Sequence, residues 1–445
     1  MRVAVVGGGY VGLVVATCLA GAGHDVVCVE RDEERRRAVA SGVAPFREPG
    51  LDARLATVLA SGALRVGAEV ADALAEADAV LLAVGTPAAA DGSPDLRWLE
   101  EAFDAVVAAA RRGAVVAVKS TTPPGTTARL AARASAGGRG DLSIVANPEF
   151  LIEGDAVRSF LEPDRVVVGG PEAGMDLLEA LYRTVVPAQV PVLRVGHTSA
   201  ELAKLASNTF LAARVALINE VARLCDAVGA GIDEVVAVLA SDARIGPRYL
   251  AAGPGFGGSC LPKDVGGLVA VQRASGSASD LIPAILAANH RHRRWALEVV
   301  KALVSEVRPD GLAGAVIAVW GASFKAHTDD VREAPALDLM RSLRAAGARV
   351  VVWDPVAAPA LSAADDSLLV WADDPLDAAT GADAVVLMTD WPVLATVPAS
   401  SVARRVRHRI VIDARNALDP SSYLAAGFRY AGVGRGRQGE PKEPA

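Results

Sequence analysis

An aliphatic strand that runs directly into a glycine fingerprint constrains the fold of this chain more than any other feature. Arg2 to Val6 supplies the strand, Gly7-Gly8-Gly9-Tyr10-Val11-Gly12 follows at once, and a helical pattern opens at Leu13. Gly7 permits the tight turn, Gly9 lets backbone N–H groups approach a pyrophosphate, and Gly12 allows helix and strand to pack closely. A second strand, Asp25 to Val29, ends in Glu30, at about the ~20-residue distance of a ribose-binding acid. A carboxylate there bonds an adenosine ribose and repels a 2′-phosphate, so NAD is the expected cofactor. Arg31 and Arg35 beside it weigh against complete exclusion of the phosphate.

Further strand-like runs at Ala79 to Val84, Ala114 to Val118 and Leu142 to Ala146 alternate with helical patterns, which predicts a parallel doubly wound sheet over residues 1–196. Polar residues collect where such strands end: Gly85-Thr86-Pro87, Lys119 to Pro123, and Asn147 to Gly154. Ligands bind at that edge of an open α/β sheet. A short strand pair near Arg165 to Gly169 and Pro191 to Val195 precedes Thr198-Ser199-Ala200-Glu201, read as a capping box opening a helix that reaches Gly229. Lys204 and Asn208 fall on one face of it. This begins a central helical domain, 197–305, whose long apolar helix suits a subunit interface. The cluster Asn289 to Trp295 reads as a solvated helical face.

Alternation resumes with Ala315 to Trp320, Leu337 to Ala345, Arg349 to Trp353, Ala384 to Met388 and Ile410 to Ile412, a second Rossmann-like sheet over 306–433. Its first strand ends in Gly321-Ala322-Ser323-Phe324-Lys325, without a dinucleotide fingerprint, and Phe324, Lys325 and Arg415 offer a stacking face and cations to a nucleotide diphosphate. Gly434 to Ala445 is Gly-, Pro- and charge-rich and is expected to be disordered.

One loop gathers chemistry that packing does not need. Gly255-Phe256-Gly257-Gly258-Ser259-Cys260-Leu261-Pro262-Lys263-Asp264 places a thiol, an ammonium and a carboxylate within five residues, with Pro262 favouring a helix start. The four cysteines, Cys18, Cys28, Cys225 and Cys260, are widely spaced with no CxxC pair, which reads as reduced thiols in a cytoplasmic protein with no metal framework. A net charge of -7 and 4% aromatic residues argue against a nucleic-acid partner. The first residues lack a signal-peptide apolar region, and no apolar run is long enough to span a membrane.

Together, Gly7 to Gly12, Glu48-Pro49-Gly50-Leu51, Lys119-Ser120-Thr121, Asn147-Pro148-Glu149-Phe150, Glu201 to Asn208, Gly255 to Asp264, Phe324-Lys325 and Asp413 to Asn416 resemble the UDP-glucose 6-dehydrogenase branch of the UDP-glucose/GDP-mannose dehydrogenase family. The resemblance covers nearly everything before the tail. It implies Cys260 as nucleophile, with Lys204, Asn208 and Asp264 serving the oxyanion and the catalytic water, and Thr121 and Glu149 assisting proton transfer and water placement. It implies NAD contacts from Val11, Glu30, Arg35, Thr86, Thr121, Glu153, Lys263 and Arg332. The UDP-sugar would be held by Glu149, Phe150, Leu151 and Glu153, by Lys204 and Asn208, by the loop from Tyr249 and Leu250 to Gly253, and by Gly257, Phe324, Lys325 and Arg415. Arg244 would come from a neighbouring subunit of a homodimer or larger oligomer. The family usually has Asp where this chain has Glu30.

The implied reaction is a four-electron oxidation of UDP-glucose to UDP-glucuronate through aldehyde, thiohemiacetal and thioester stages on Cys260. Three alternatives stay open. The same chemistry could act on GDP-mannose or UDP-N-acetylmannosamine; a one-step hydroxyacid-type dehydrogenase would leave Cys260 incidental; and a nucleotide-sugar sensor would keep the fold without turnover.

Overall fold

The computed structural model describes residues 1–68, 70–277, 279–358 and 369–438. It divides into two compact units, Met1–Asn208 with Gly266–Ala278, and Thr209–Val265 with Ser279–Ala445.

The first unit is built on β1 (Arg2–Val6), β2 (Asp25–Val29), β3 (Leu64–Gly67), β4 (Ala79–Leu82), β5 (Val115–Val118), β6 (Ser143–Ala146), β7 (Val166–Gly169) and β8 (Val192–Val195). Their order across the sheet is β3-β2-β1-β4-β5-β6-β7-β8. The first six follow the doubly wound order of dinucleotide-binding sheets, whose reversal lies between β1 and β4. Both faces are buried, as the period of two requires: Val3 and Val5 join one core cluster and Ala4 and Val6 the other. The expected parallel sheet runs from β3 to β6, and the strand pair after it joins through one antiparallel step, β6 with β7 at Ala146 and Gly169. The short β3 was not anticipated from the sequence. Helix α1 (Tyr10–Gly21) follows β1, and its residues from Gly12 to Ala20 are all buried. Helix α2 (Thr126–Ala136) follows β5.

Helix α3 (His197–Val228) runs for 32 residues, roughly 48 Å at about 1.5 Å per residue. It belongs to the first unit as far as Asn208 and to the second from Thr209. Phe210, Leu217 and Leu224, seven residues apart, are 74%, 66% and 62% exposed along it.

The second unit carries β9 (Val316–Trp320), β10 (Arg349–Trp353), β11 (Val370–Trp371), β12 (Ala384–Leu387), β13 (Ile410–Asp413), β14 (Arg429–Gly432) and β15 (Gly436–Gln438), in the order β11-β10-β9-β12-β13-β14-β15. Again the faces alternate, Ile317 and Val319 entering one cluster and Ala318 and Trp320 the other. The last pair, β14 with β15, is antiparallel. The segment expected to be disordered from Gly434 therefore begins with a turn and a strand, and 439–445 lie outside the described residues. Helices α4 (Leu261–Ser275) and α5 (Leu281–His292) complete the elements that carry the chemistry described below. Among the described residues no helix is long and apolar enough to cross a membrane.

Candidate active site

The fingerprint turn fits a dinucleotide on its own geometry. Gly7 has φ +105°, and a Cβ there would lie 2.7 Å from the Ala83 carbonyl oxygen. At Gly12 a Cβ would come within 1.8 Å of the Gly7 oxygen, whereas one at Gly9 would meet nothing within 4 Å. Two glycines are thus spent on close packing, and the one preceding α1 faces open space where a pyrophosphate can approach. Val11 lies in the first turn of α1, partly exposed. Glu30 is buried beside this turn, where its Oε1 accepts the Asp32 N–H at 2.9 Å and its Oε2 lies 3.4 Å from Arg35 Nη1. Arg31 stacks over Trp98, 5.0 Å from the ring centroid. At the ends of β4 and β5, Thr86 Oγ1 donates to the Thr121 carbonyl at 2.8 Å, so two residues expected near NAD are joined directly.

The segment after β6 meets α3 in a buried ion pair. Lys204 Nζ lies 3.0 Å from Glu149 Oε1, with side chains only 4% and 10% exposed. Glu149 Oε2 also accepts the Leu151 N–H at 2.6 Å. Burial would raise the Glu149 carboxyl, but the Lys204 ammonium and the Leu151 N–H outweigh it and hold the group below its ordinary value. Phe150 lies under two cations, Arg165 at 3.9 Å and Lys204 at 5.3 Å from its centroid. Asn208, one turn beyond Lys204, is buried, while Glu153 is partly exposed. Lys119, buried next to this strand end, donates to Asn147 Oδ1 at 3.2 Å and to Tyr182 Oη at 2.9 Å.

The capping-box expectation is corrected here. Helix α3 starts at His197, and Glu201 serves a different helix: its carboxylate accepts from Gly125 N at 2.6 Å, Thr127 N at 2.7 Å and the hydroxyls of Thr122 and Thr127. It caps the N-terminus of α2, which has no side-chain cap of its own, and ties down the loop after Thr121. Glu48, quoted only as part of a motif, does the same for the segment after Glu153. It accepts from Gly154 N at 2.9 Å, from Ala156 N at 2.7 Å and from Tyr10 Oη. Neither capping role is visible in the sequence, because each capped segment lies 74 or more residues away.

In the second unit the thiol loop leads into α4 as expected. Cys260 is exposed and immediately precedes Leu261, the first residue of the helix. Lys263 Nζ and the buried Asp264 Oδ1 are 2.5 Å apart in the first turn. The glycines are required: a Cβ at Gly257 would lie 2.1 Å from the Glu333 oxygen, and one at Gly258, φ +77°, would strike the Phe324 ring at 2.9 Å. Gly258 N–H donates to the Arg332 carbonyl at 3.1 Å. The structure thus brings Gly257, Gly258, Phe324 and the Arg332 segment together. The Arg332 side chain itself is bound by Asp330. Lys325 Nζ lies 5.4 Å from the Phe324 centroid. Arg415 Nε donates to the Met388 carbonyl at 3.0 Å and Nη2 to the Phe324 carbonyl, so a nucleotide diphosphate would have to compete with backbone for this guanidinium. Asp413 sets the turn that carries it, accepting from Arg415 N at 3.1 Å, Leu418 N at 2.8 Å and Tyr430 Oη at 2.9 Å. Tyr249 opens its loop at φ 62°, a left-handed conformation uncommon for a tyrosine, and Leu250 is buried. Arg244 is 90% exposed and folded onto Asp242.

Asp354 ends β10, as Glu30 ends β2, yet it does other work. Its Oδ2 accepts from Ala322 N at 2.8 Å, Ser323 N at 3.1 Å and Trp391 Nε1 at 3.1 Å. The carboxylate that would bond a ribose in a dinucleotide site is consumed in holding the turn, in keeping with the missing fingerprint.

A second correction concerns Asn289, His292 and Arg293, expected on a solvated face. They are 1%, 1% and 7% exposed. Arg293 meets Asp338 at 2.7 Å, Asn289 binds Phe256 in the thiol loop, and His292 binds Gly253 just before it.

Comparison with known proteins agrees with this arrangement. Models of the UDP-glucose/GDP-mannose dehydrogenase family match in chain order: its NAD binding domain at residues 1–186, its central domain at 198–291 and its UDP binding domain at 318–420. The chain is 38% identical to a UDP-glucose 6-dehydrogenase of Pseudomonas aeruginosa over 100% of both chains, and 37% identical to one of Rhizobium meliloti over 98% and 100%. Among solved structures it superposes on a UDP-glucose dehydrogenase from Pyrobaculum islandicum with TM-score 0.88 at 36% identity, covering 97% of each chain. A UDP-D-ManNAc dehydrogenase from Pyrococcus horikoshii gives TM-score 0.87 at 31% identity, covering 99% and 100%. On this end-to-end similarity, and with a fingerprint turn and acid shaped for NAD, the chain belongs to the UDP-glucose/GDP-mannose dehydrogenase family and is an NAD-dependent enzyme that binds a UDP-sugar.

Proposed function

We propose that this enzyme oxidises UDP-glucose to UDP-glucuronate in two successive oxidations, with Cys260 as the covalent nucleophile. The observation that carries the reading is an exposed thiol at the start of α4, on glycines too crowded to accept side chains, with an ammonium and a carboxylate in the next turn. In this reading 1–196 holds NAD, 197–305 carries the thiol loop and a subunit interface, and 306–433 holds the UDP-sugar. NAD would be held by the turn Gly7 to Gly12, by Glu30 and Arg35 at its ribose, and by Thr86, Thr121, Glu153, Lys263 and Arg332. Bound there, NAD would supply the oxidant, one molecule for each two-electron oxidation at C6 of the sugar.

The residues of the chain do the rest. After the first oxidation the Cys260 thiolate adds to the aldehyde carbon, and the alkoxide so formed needs a cation. Lys204 fills that need; its pairing with Glu149 fixes its position, and Asn208 one turn on supplies an amide donor. The second oxidation leaves a thioester. Water, oriented by Asp264 and Glu149, adds to its carbonyl and expels the thiolate, releasing the carboxylate and two protons.

The UDP-glucose assignment is supported by relatives of that name at 38% and 37% identity along the whole chain. It is tested by kcat/KM for UDP-glucose, UDP-N-acetylmannosamine and GDP-mannose measured in parallel. A preference for either of the other two would overturn the sugar while keeping the chemistry.

We also propose that the active unit is at least a dimer, with the stripe Phe210, Leu217 and Leu224 of α3 at its interface and Arg244 reaching the partner's sugar. An exposed apolar stripe of this regularity is costly in water. Leu217→Glu is expected to shift the species seen by sedimentation towards monomer and to lower activity with it. Full specific activity in a verified monomer would contradict the arrangement.

A further inference from the structure

We propose that Asn289 and His292 are positioning residues that clamp the backbone of the thiol loop and of Gly253 just before it, and so fix where Cys260 can reach. The inference rests on the proposed role of Cys260.

A loop of glycines has more backbone freedom to lose than any other, so it holds a nucleophile in place only if something else pins it. Two side chains of α5 do so. Asn289 Oδ1 accepts the Phe256 N–H at 2.8 Å and its Nδ2 donates to the Phe256 carbonyl at 3.0 Å, satisfying both backbone groups of one residue as a neighbouring strand would. His292 Nε2 lies 2.7 Å from the Gly253 carbonyl oxygen. A carbonyl only accepts, so Nε2 carries the proton and Nδ1 is bare. Burial lowers the imidazole below its ordinary value even against the backbone bond, consistent with that neutral form. Gly253 N–H is held in turn by Asn219 Oδ1 at 2.9 Å.

Between the two pinned residues Gly255 adopts φ +100°, and a Cβ there would lie 2.8 Å from Asn289 Oδ1 and 2.9 Å from Arg293 Cγ. The Phe256 side chain packs with Ala212, Ala216, Val265 and Ile285. Positions 253 and 256 are therefore fixed by polar contacts, and only Gly257, Gly258 and Ser259 separate the second pin from the thiol. A misplacement of about 1 Å at a reacting group can cost on the order of 10²-fold in rate. Loss of one pin is thus expected to show in kcat.

His292→Phe removes the donor and keeps a ring. It is expected to lower kcat on UDP-glucose at least ~30-fold, to leave KM for NAD near the wild-type value, and to speed amide exchange in the 253–260 peptide while a cooperative melt is retained. His292→Gln, whose amide can donate to the same carbonyl, is expected to recover kcat to within ~3-fold. Wild-type kcat and exchange in His292→Phe, or no recovery in His292→Gln, would overturn the clamp. If His292→Phe fails to melt cooperatively, Asn289→Ser takes its place with the same expectations. Cys260→Ala, assayed alongside, separates the two readings. An inactive Cys260→Ala beside a fully active His292→Phe refutes the clamp, whereas normal turnover by Cys260→Ala refutes the role of the thiol on which it rests.

Discussion

Cys260→Ser is expected to lower kcat by at least ~10³-fold, about 4 kcal/mol of barrier, while the Kd for UDP-glucose changes little. Serine is nearly isosteric with cysteine and Cys260 is exposed, so neither the loop nor the binding of sugar and NAD has reason to change. The chemistry does change. An alcohol is a far weaker acid than a thiol with pKa near ~8.5, so it adds to the aldehyde less readily, and an oxygen ester expels a poorer leaving group when water attacks. A sugar-nucleotide ester on the substituted residue should accumulate and be visible by intact-protein mass spectrometry. Release of UDP-glucuronate at the wild-type rate would reduce the thiol loop to a structural element.

The second large effect is expected at Lys204. Lys204→Met removes the proposed oxyanion partner and is expected to cost ~10²–10³-fold in kcat. It also strands Glu149, whose side chain is 10% exposed, and breaking a buried pair by removing one partner costs about 3–5 kcal/mol. The pH dependence has a definite sign. In the wild type the Glu149 carboxyl lies below its ordinary value, so its stabilisation is present above the unfolded pKa of about 4.3 and lost as pH falls through the folded value. Without the ammonium, burial dominates and the folded value rises above the unfolded one. The variant's carboxyl then stabilises only at acid pH and loses that contribution as pH rises. The difference in Tm between wild type and Lys204→Met is therefore expected to widen from pH 4.5 to pH 7.5. Adding Glu149→Gln should recover most of the lost Tm at neutral pH and none of the activity. Recovery of kcat in the double variant would show that Lys204 matters only for packing.

What could be read in advance was local in the chain. The turn from Gly7 to Gly12, the acid at Glu30 and the strand ends at Thr86, Thr121 and Glu149 follow from residues a few positions apart, because a strand, a tight turn and a helix each leave a short-range pattern. The thiol loop was legible for the same reason. Residues whose partners lie far along the chain were not. Glu201 satisfied every local criterion for capping its own helix, yet its four donors come from residues 122 to 127. Asn289 and His292 sit beside three arginines, Arg291, Arg293 and Arg294, and a second histidine, His290, and charge pattern alone places such a run in water. Only the return of the 253–256 backbone buries them. The antiparallel step between β6 and β7 leaves no periodicity signal, since both strands read as short apolar runs in either direction.

The most direct test of two successive oxidations on one substrate is the NADH formed per UDP-glucose consumed, with substrate limiting and NAD in excess. The account predicts two, with no free aldehyde released, because the first product is captured on Cys260 before it can leave. A value of one NADH per UDP-glucose, with an aldehyde as the end product, would contradict it and make the thiol incidental.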